Sequence, residues 1–138
     1  MNVRDIASAE VVTAEIDDTV REASLRMREA GVGSVVVLDG RGDPAGIVTD
    51  RDLVVYVCDP SRDPDTTTTN DVMAREVVTV DPDASVFEAA AVMAEAGVRR
   101  VPVLSDGELV GIVTLDDLLP AFVDGMADLS SVVESESS

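Results

Sequence analysis

Gly46-Ile47-Val48-Thr49-Asp50-Arg51-Asp52-Leu53 returns 65 places later as Gly111-Ile112-Val113-Thr114-Leu115-Asp116-Asp117-Leu118. In both copies an apolar run that reads as a strand meets Thr-x-x-Asp, a pattern that opens helices because hydroxyl and carboxylate satisfy amides of the first turn. The repetition extends outward. Glu10-Val11-Val12-Thr13 recurs as Glu76-Val77-Val78-Thr79, and Glu29-Ala30-Gly31-Val32 as Glu95-Ala96-Gly97-Val98, here 66 places apart, so the second copy loses one residue in between. A period of about 65 residues is too long for a solenoid unit and suits two small tandem subdomains.

Each copy parses alike. A short apolar strand (11–14, 77–80) leads through an acidic turn to a helix opened by Thr19 with Glu22, or Ser85 with Glu88, both in capping-box spacing, and closed by Gly31 or Gly97. Buried strands are expected at 35–38 and 101–104, folding back at Asp39-Gly40-Arg41-Gly42 and Ser105-Asp106-Gly107 onto strands at 46–48 and 109–113. A second helix follows Thr49 or Thr114. The expected fold class is α+β, two tandem β-α-β-β-α repeats at 1–58 and 70–124, with a linker at 59–69 rich in Pro, Asp and Thr, and an acidic, disordered tail at 125–138. Neither half buries much surface alone, so the two should pack around a pseudo-twofold axis with two equivalent clefts.

Composition narrows the chemistry. Apolar residues make up 46% of the 138 and aromatics only 2%, so the core must come from Val, Ile, Leu, Ala and Met, with Met27, Met73 and Met93 as core fillers. The formal charge is -18 and all ten basic residues are Arg, which argues against nucleic acid as a partner. The acids are spread along the chain, which favours general adaptation to a salt-rich cytoplasm over a dedicated acidic surface. Without His, and with Cys58 alone, imidazole bases, Cys-His nucleophiles and the usual zinc sites are excluded. The acids sit mainly at caps and turns rather than converging on one point, which argues against a carboxylate-metal hydrolase, and no metal site is expected. No leader-like or membrane-spanning run is present, so a soluble cytoplasmic protein without a membrane partner is expected.

The strand, turn, strand, Gly-hydrophobic-Val-Thr-x-x-Asp order in both copies, with Asn70-Asp71-Val72-Met73 and Gly97-Val98-Arg99-Arg100-Val101-Pro102-Val103, resembles the CBS-domain family, named after cystathionine beta-synthase, over residues 3 to 123. The resemblance implies a non-catalytic regulatory module that binds AMP, ADP, ATP or S-adenosylmethionine, needs no cofactor, pairs as a homodimer and acts on a separate client protein. It assigns the ribose hydroxyls to Thr49 with Asp52 and to Thr114 with Asp117. The first cleft would face Val77, Val78, Val98, Arg99 and Arg100; the second would face Val11, Val12, Val32, Gly33 and Ser34.

The implied roles leave alternatives. Val77, Val78, Val98, Val11, Val12 and Val32 would line adenine, with Met73 a further contact because its segment precedes a lining strand. Arg99 and Arg100 would hold phosphate in the Thr49/Asp52 cleft, or else form surface ion pairs; Arg51 adds to phosphate binding or pairs with a neighbouring acid. Each Thr-x-x-Asp also stands as a helix cap with no ligand, and both roles can coexist. Two departures weaken the second ribose site: Pro102 where the first copy has Val36, and Leu115 in place of Asp50. The alternative function is a structural dimerisation or protein-interaction module whose clefts hold no ligand.

Overall fold

The computed structural model describes residues 1–75 and 77–137, so Glu76 of the repeat and Ser138 of the tail lie outside the described residues. The chain forms α1 (Val3–Ile6), β1 (Thr13–Glu15), α2 (Val20–Ala30), β2 (Ser34–Leu38), β3 (Pro44–Thr49), α3 (Asp50–Val57), α4 (Thr69–Val72), α5 (Val86–Ala96), β4 (Arg100–Ser105), β5 (Glu108–Thr114) and α6 (Leu115–Ser137). It is the expected α+β mixture, and each repeat carries its own strands and helices. Two compact bodies result: a first of Glu10–Val77 with Asp106–Val110, and a second of Met1–Ala9, Val78–Ser105 and Gly111–Ser138.

In the first body β1 runs parallel to β2, and β2 pairs antiparallel with β3. Helix α2 begins where Thr19 accepts from the Glu22 amide at 3.1 Å and ends at Gly31, whose φ of 67° lies in the left-handed region where a side chain is costly. Its inner residues Val20, Ala23 and Met27 join Val35, Val37, Val48, Leu53 and Met73 in one core. The acidic stretch at 59–69 is fastened to this body. Val20 N donates to Thr67 O at 2.8 Å, Arg21 pairs with Asp65, and the buried Thr69 donates its hydroxyl to Glu15 O at 2.6 Å. At its end, Thr68 donates its amide and hydroxyl to Asp71, which holds that carboxyl below its ordinary range.

The second body repeats the plan with two changes. Its core gathers Val80, Val86, Ala89, Met93, Val101, Val103, Val113 and Leu118, and also Val3 from the start of the chain. The segment before each repeat closes the body built mainly from the other: Ala74 bridges Ile47 in the first, and Ser8 bridges Ile112 in the second. This explains a glycine in both copies of the motif. A Cβ on Gly46 would stand 2.7 Å from Ala74 O, and one on Gly111 2.8 Å from Ser8 O, so only glycine lets the crossing backbone bond there.

The first strand of the second copy, expected at 77–80, shrinks to a single bridge between Val80 and Val103. In the first copy Val36 N donates to Val12 O at 3.1 Å. Its counterpart Pro102 has no N–H, so the matching bond to Val78 cannot form. The tail also differs from expectation: 125–137 are not irregular but continue α6 to Ser137. The apolar residues at 126, 129, 132 and 133 support that helix where a Ser- and Glu-rich reading of the composition sees only a tail. Among the described residues, no helix is long and apolar enough to cross a membrane.

Candidate functional site

Thr49 ends β3 and caps α3. Its hydroxyl accepts from the Asp52 amide at 3.2 Å, and the Asp52 Oδ2 accepts from the Thr49 amide at 2.9 Å. The second body repeats this: Asp117 N to the Thr114 hydroxyl at 3.2 Å, Thr114 N to Asp117 Oδ2 at 2.9 Å, and the Thr114 hydroxyl to the same oxygen at 3.0 Å. Among the described residues nothing donates to the other oxygen, Oδ1, of either carboxylate. The capping role is therefore fulfilled, and it leaves one fixed, half-buried carboxylate oxygen per motif available to accept from a hydroxyl.

An antiparallel hairpin sets the first residue of one strand opposite the last residue of the next. Ser34 accordingly pairs with Thr49, and Gly33 O accepts from Asp50 N at 2.9 Å. The counterpart in the second body is Arg99 O, which accepts from Leu115 N at 2.8 Å. The Arg99 backbone thus adjoins the Thr114/Asp117 motif of its own repeat. The arginine beside Thr49 is Arg51, exposed in the first turn of α3. A cation there faces the positive end of the helix dipole, which the Asp50 and Asp52 carboxylates of the same turn offset.

Five arginines are committed elsewhere. Arg4, Arg21, Arg26 and Arg62 pair with Asp83, Asp65, Asp18 and Asp59, and Arg75 donates to Asn70 O. Among the described residues, no acid lies within ion-pair range of Arg51, Arg99 or Arg100. In a chain of charge -18, three such guanidinium groups stand within or beside the two motifs, where they can offer forked donors to an anion.

The apolar candidates divide between the bodies. Val11, Val12, Val32 and Val77 belong to the first, together with Thr49, Arg51 and Asp52; Val78 and Val98 belong to the second, with Arg99, Arg100, Thr114 and Asp117. Val12 packs against the first core, and Val78 and Val98 against the second. Met73 is a core residue, 8% exposed, lying over Gly46, so it fills the first body in the manner of Met27 and Met93. Sequence reasoning missed a groove of about 310 Å³ between α5 and α6, lined by Met93, Val98, Arg99, Leu115, Leu119 and Phe122. A signal for it exists: Arg21, Ser24 and Arg28 of α2 become Phe87, Ala90 and Ala94 in α5.

Residues 3–59 and 70–124 each match the family model of the CBS domain. The chain is 40% identical over 120 residues to the uncharacterised protein MK0525 of Methanopyrus kandleri, covering 86% of this chain and 61% of that one. It is 37% identical over 115 residues to hypoxic response protein 1 of Mycobacterium tuberculosis, covering 83% and 80%. Among solved structures it resembles a putative signal-transduction protein with CBS domains from Burkholderia ambifaria, with TM-score 0.80, 32% identity and 90% and 95% coverage. It also resembles the CBS domain pair of MJ0100 in complex with 5′-methylthioadenosine and S-adenosyl-L-methionine, with TM-score 0.79, 27% identity and 91% and 98% coverage.

Proposed function

The chain belongs to the CBS-domain family, as a pair of repeats forming a regulatory module, and from that premise we propose that it is a sensor of adenine nucleotides or adenosyl compounds. Thr49 with Asp52 and Thr114 with Asp117 hold ribose hydroxyls, while Arg51 in one body and Arg99 and Arg100 in the other receive phosphate. The observation that carries this reading is the open Oδ1 in both motifs. A carboxylate fixed through one oxygen loses little entropy when the other accepts from a diol, and the bond is charge-assisted. The uncommitted arginines extend the reading to phosphorylated ligands, and the adenosyl compounds bound by MJ0100 support the adenosyl class. The module pairs with a second copy and transmits occupancy to a separate client by shifting between two arrangements.

The test is a thermal-shift series in high salt with adenosine, AMP, ATP, S-adenosylmethionine and NAD. A ligand present at 100 times its Kd stabilises the native state by about 2.7 kcal/mol, several degrees for a chain of this size. We expect a shift with at least one compound that is lost when Asp52 and Asp117 are both changed to Asn, read as the ligand-induced increment so that any loss of capping cancels. Stability unmoved by every compound would favour a dimerisation module without ligand. Arg51→Ala and Arg99→Ala should weaken AMP and ATP more than adenosine.

A further inference from the structure

We propose that the outer part of α6, residues 119–133, is a seam along which a second copy of this chain lays its own α6, parallel and in register. Apart from Phe122, which packs on its own core and against Phe87, the surface is apolar and uncovered: Leu119 is 52% exposed, Val123 61%, Met126 70% and Leu129 70%. Its spacing is that of a paired helix. Leu115, Leu119, Phe122, Met126, Leu129 and Val133 follow one another at intervals of 4, 3, 4, 3 and 4, which places them at alternating d and a positions of a heptad.

The charges choose the occupant. The helix carries Asp124 and Asp128 in this stretch, Glu134 just beyond it, and no base anywhere along its length. On the heptad register these three acids fall at f, c and b, away from the seam, while the flanking e and g positions hold Val123, Gly125, Ser130 and Val132. A strongly acidic chain meeting itself needs a line of contact free of like charge, and this is one. An anionic lipid surface is repelled by the same helix. Parallel pairing also brings together the roots of the two helices, where each has the groove between α5 and α6 bordered by Leu119 and Phe122. A twofold pair can cover both grooves at once.

This names the surface for the self-pairing proposed above and is independent of ligand. The test is sedimentation equilibrium of the full chain in high salt across the micromolar to millimolar range. The wild type should be a dimer, Met126→Glu with Leu129→Glu should raise its dissociation constant at least about 100-fold by carrying four unpaired acids into the contact, and the outward-facing pair Ala127→Glu with Ser131→Glu should leave it within a few-fold. A dimer that survives the seam substitutions overturns the seam and leaves self-pairing standing; a wild type that stays monomeric overturns both. In a Cys58→Ser background, Leu119→Cys, at one end of the seam, should cross-link to itself on mild oxidation much faster than Ser131→Cys, because only a parallel register brings the two copies of residue 119 together; equal rates would overturn that register.

Discussion

Gly46 and Gly111 are single atoms short of being ordinary strand residues, and that deficit lets each body bind a segment from outside its own repeat. The Cβ built on Gly46 meets the Met73 sulfur at 2.5 Å as well as the Ala74 carbonyl. Met73 can rotate away; the carbonyl cannot, because Ile47 N donates to it at 3.1 Å. Gly46→Ala should therefore destabilise the protein by about 1–3 kcal/mol, the usual cost of overpacking, read as a lower urea midpoint at unchanged slope. An unchanged midpoint would mean that the Ala74 segment detaches without loss. The same scale separates two kinds of motif residue. Thr49 and Asp52 were legible because spacing alone identifies a cap; that one carboxylate oxygen stays open is a matter of geometry that no spacing reveals.

Among the elements, helices were read more accurately than strands, because their ends carry local chemistry. Thr19, Gly31, Ser85 and Gly97 bound α2 and α5 at the expected residues. The return arms expected from Glu22 and Glu88 are not made among the described residues, so each N-terminus rests on a hydroxyl accepting one amide. The lost strand at 77–80 depends on a partner more than twenty residues away, Pro102, and periodicity within the strand itself holds no sign of it. The tail illustrates the opposite error, since composition hid a heptad. Its weakest point is Gly125, mid-helix with open space where a Cβ would go. Gly125→Ala should raise stability by about 0.5–1 kcal/mol and increase helical circular dichroism. No gain in helicity would mean that α6 ends before residue 125 in solution.

At the scale of the whole molecule, repulsion among carboxylates outweighs attraction. Asp and Glu number 28 against ten Arg, and the ion pairs among the described residues engage only Arg4, Arg21, Arg26 and Arg62. Three of these four pairs join side chains 40% or more exposed, where such contacts contribute little. The exception is Asp18, 15% exposed. Burial works against its charge, but the Glu15 amide and the Arg26 guanidinium prevail and hold its carboxyl below the ordinary range. Salt acts on the two terms unequally. Raising it from about 0.1 M to 1 M shortens the screening length from about 10 Å to 3 Å, which removes repulsion between distant acids and spares close hydrogen-bonded pairs. The melting temperature should rise steadily with NaCl, and rise less in variants where exposed acids such as Asp63 and Asp106 are replaced by Asn. Because chloride and sulfate differ in how they strengthen apolar burial while both screen charge, the comparison at matched ionic strength separates the causes. Equal stabilisation by the two salts supports screening, a large excess for sulfate assigns the effect to burial, and a fall in melting temperature would mean that the few ion pairs, not the many unpaired acids, govern the fold.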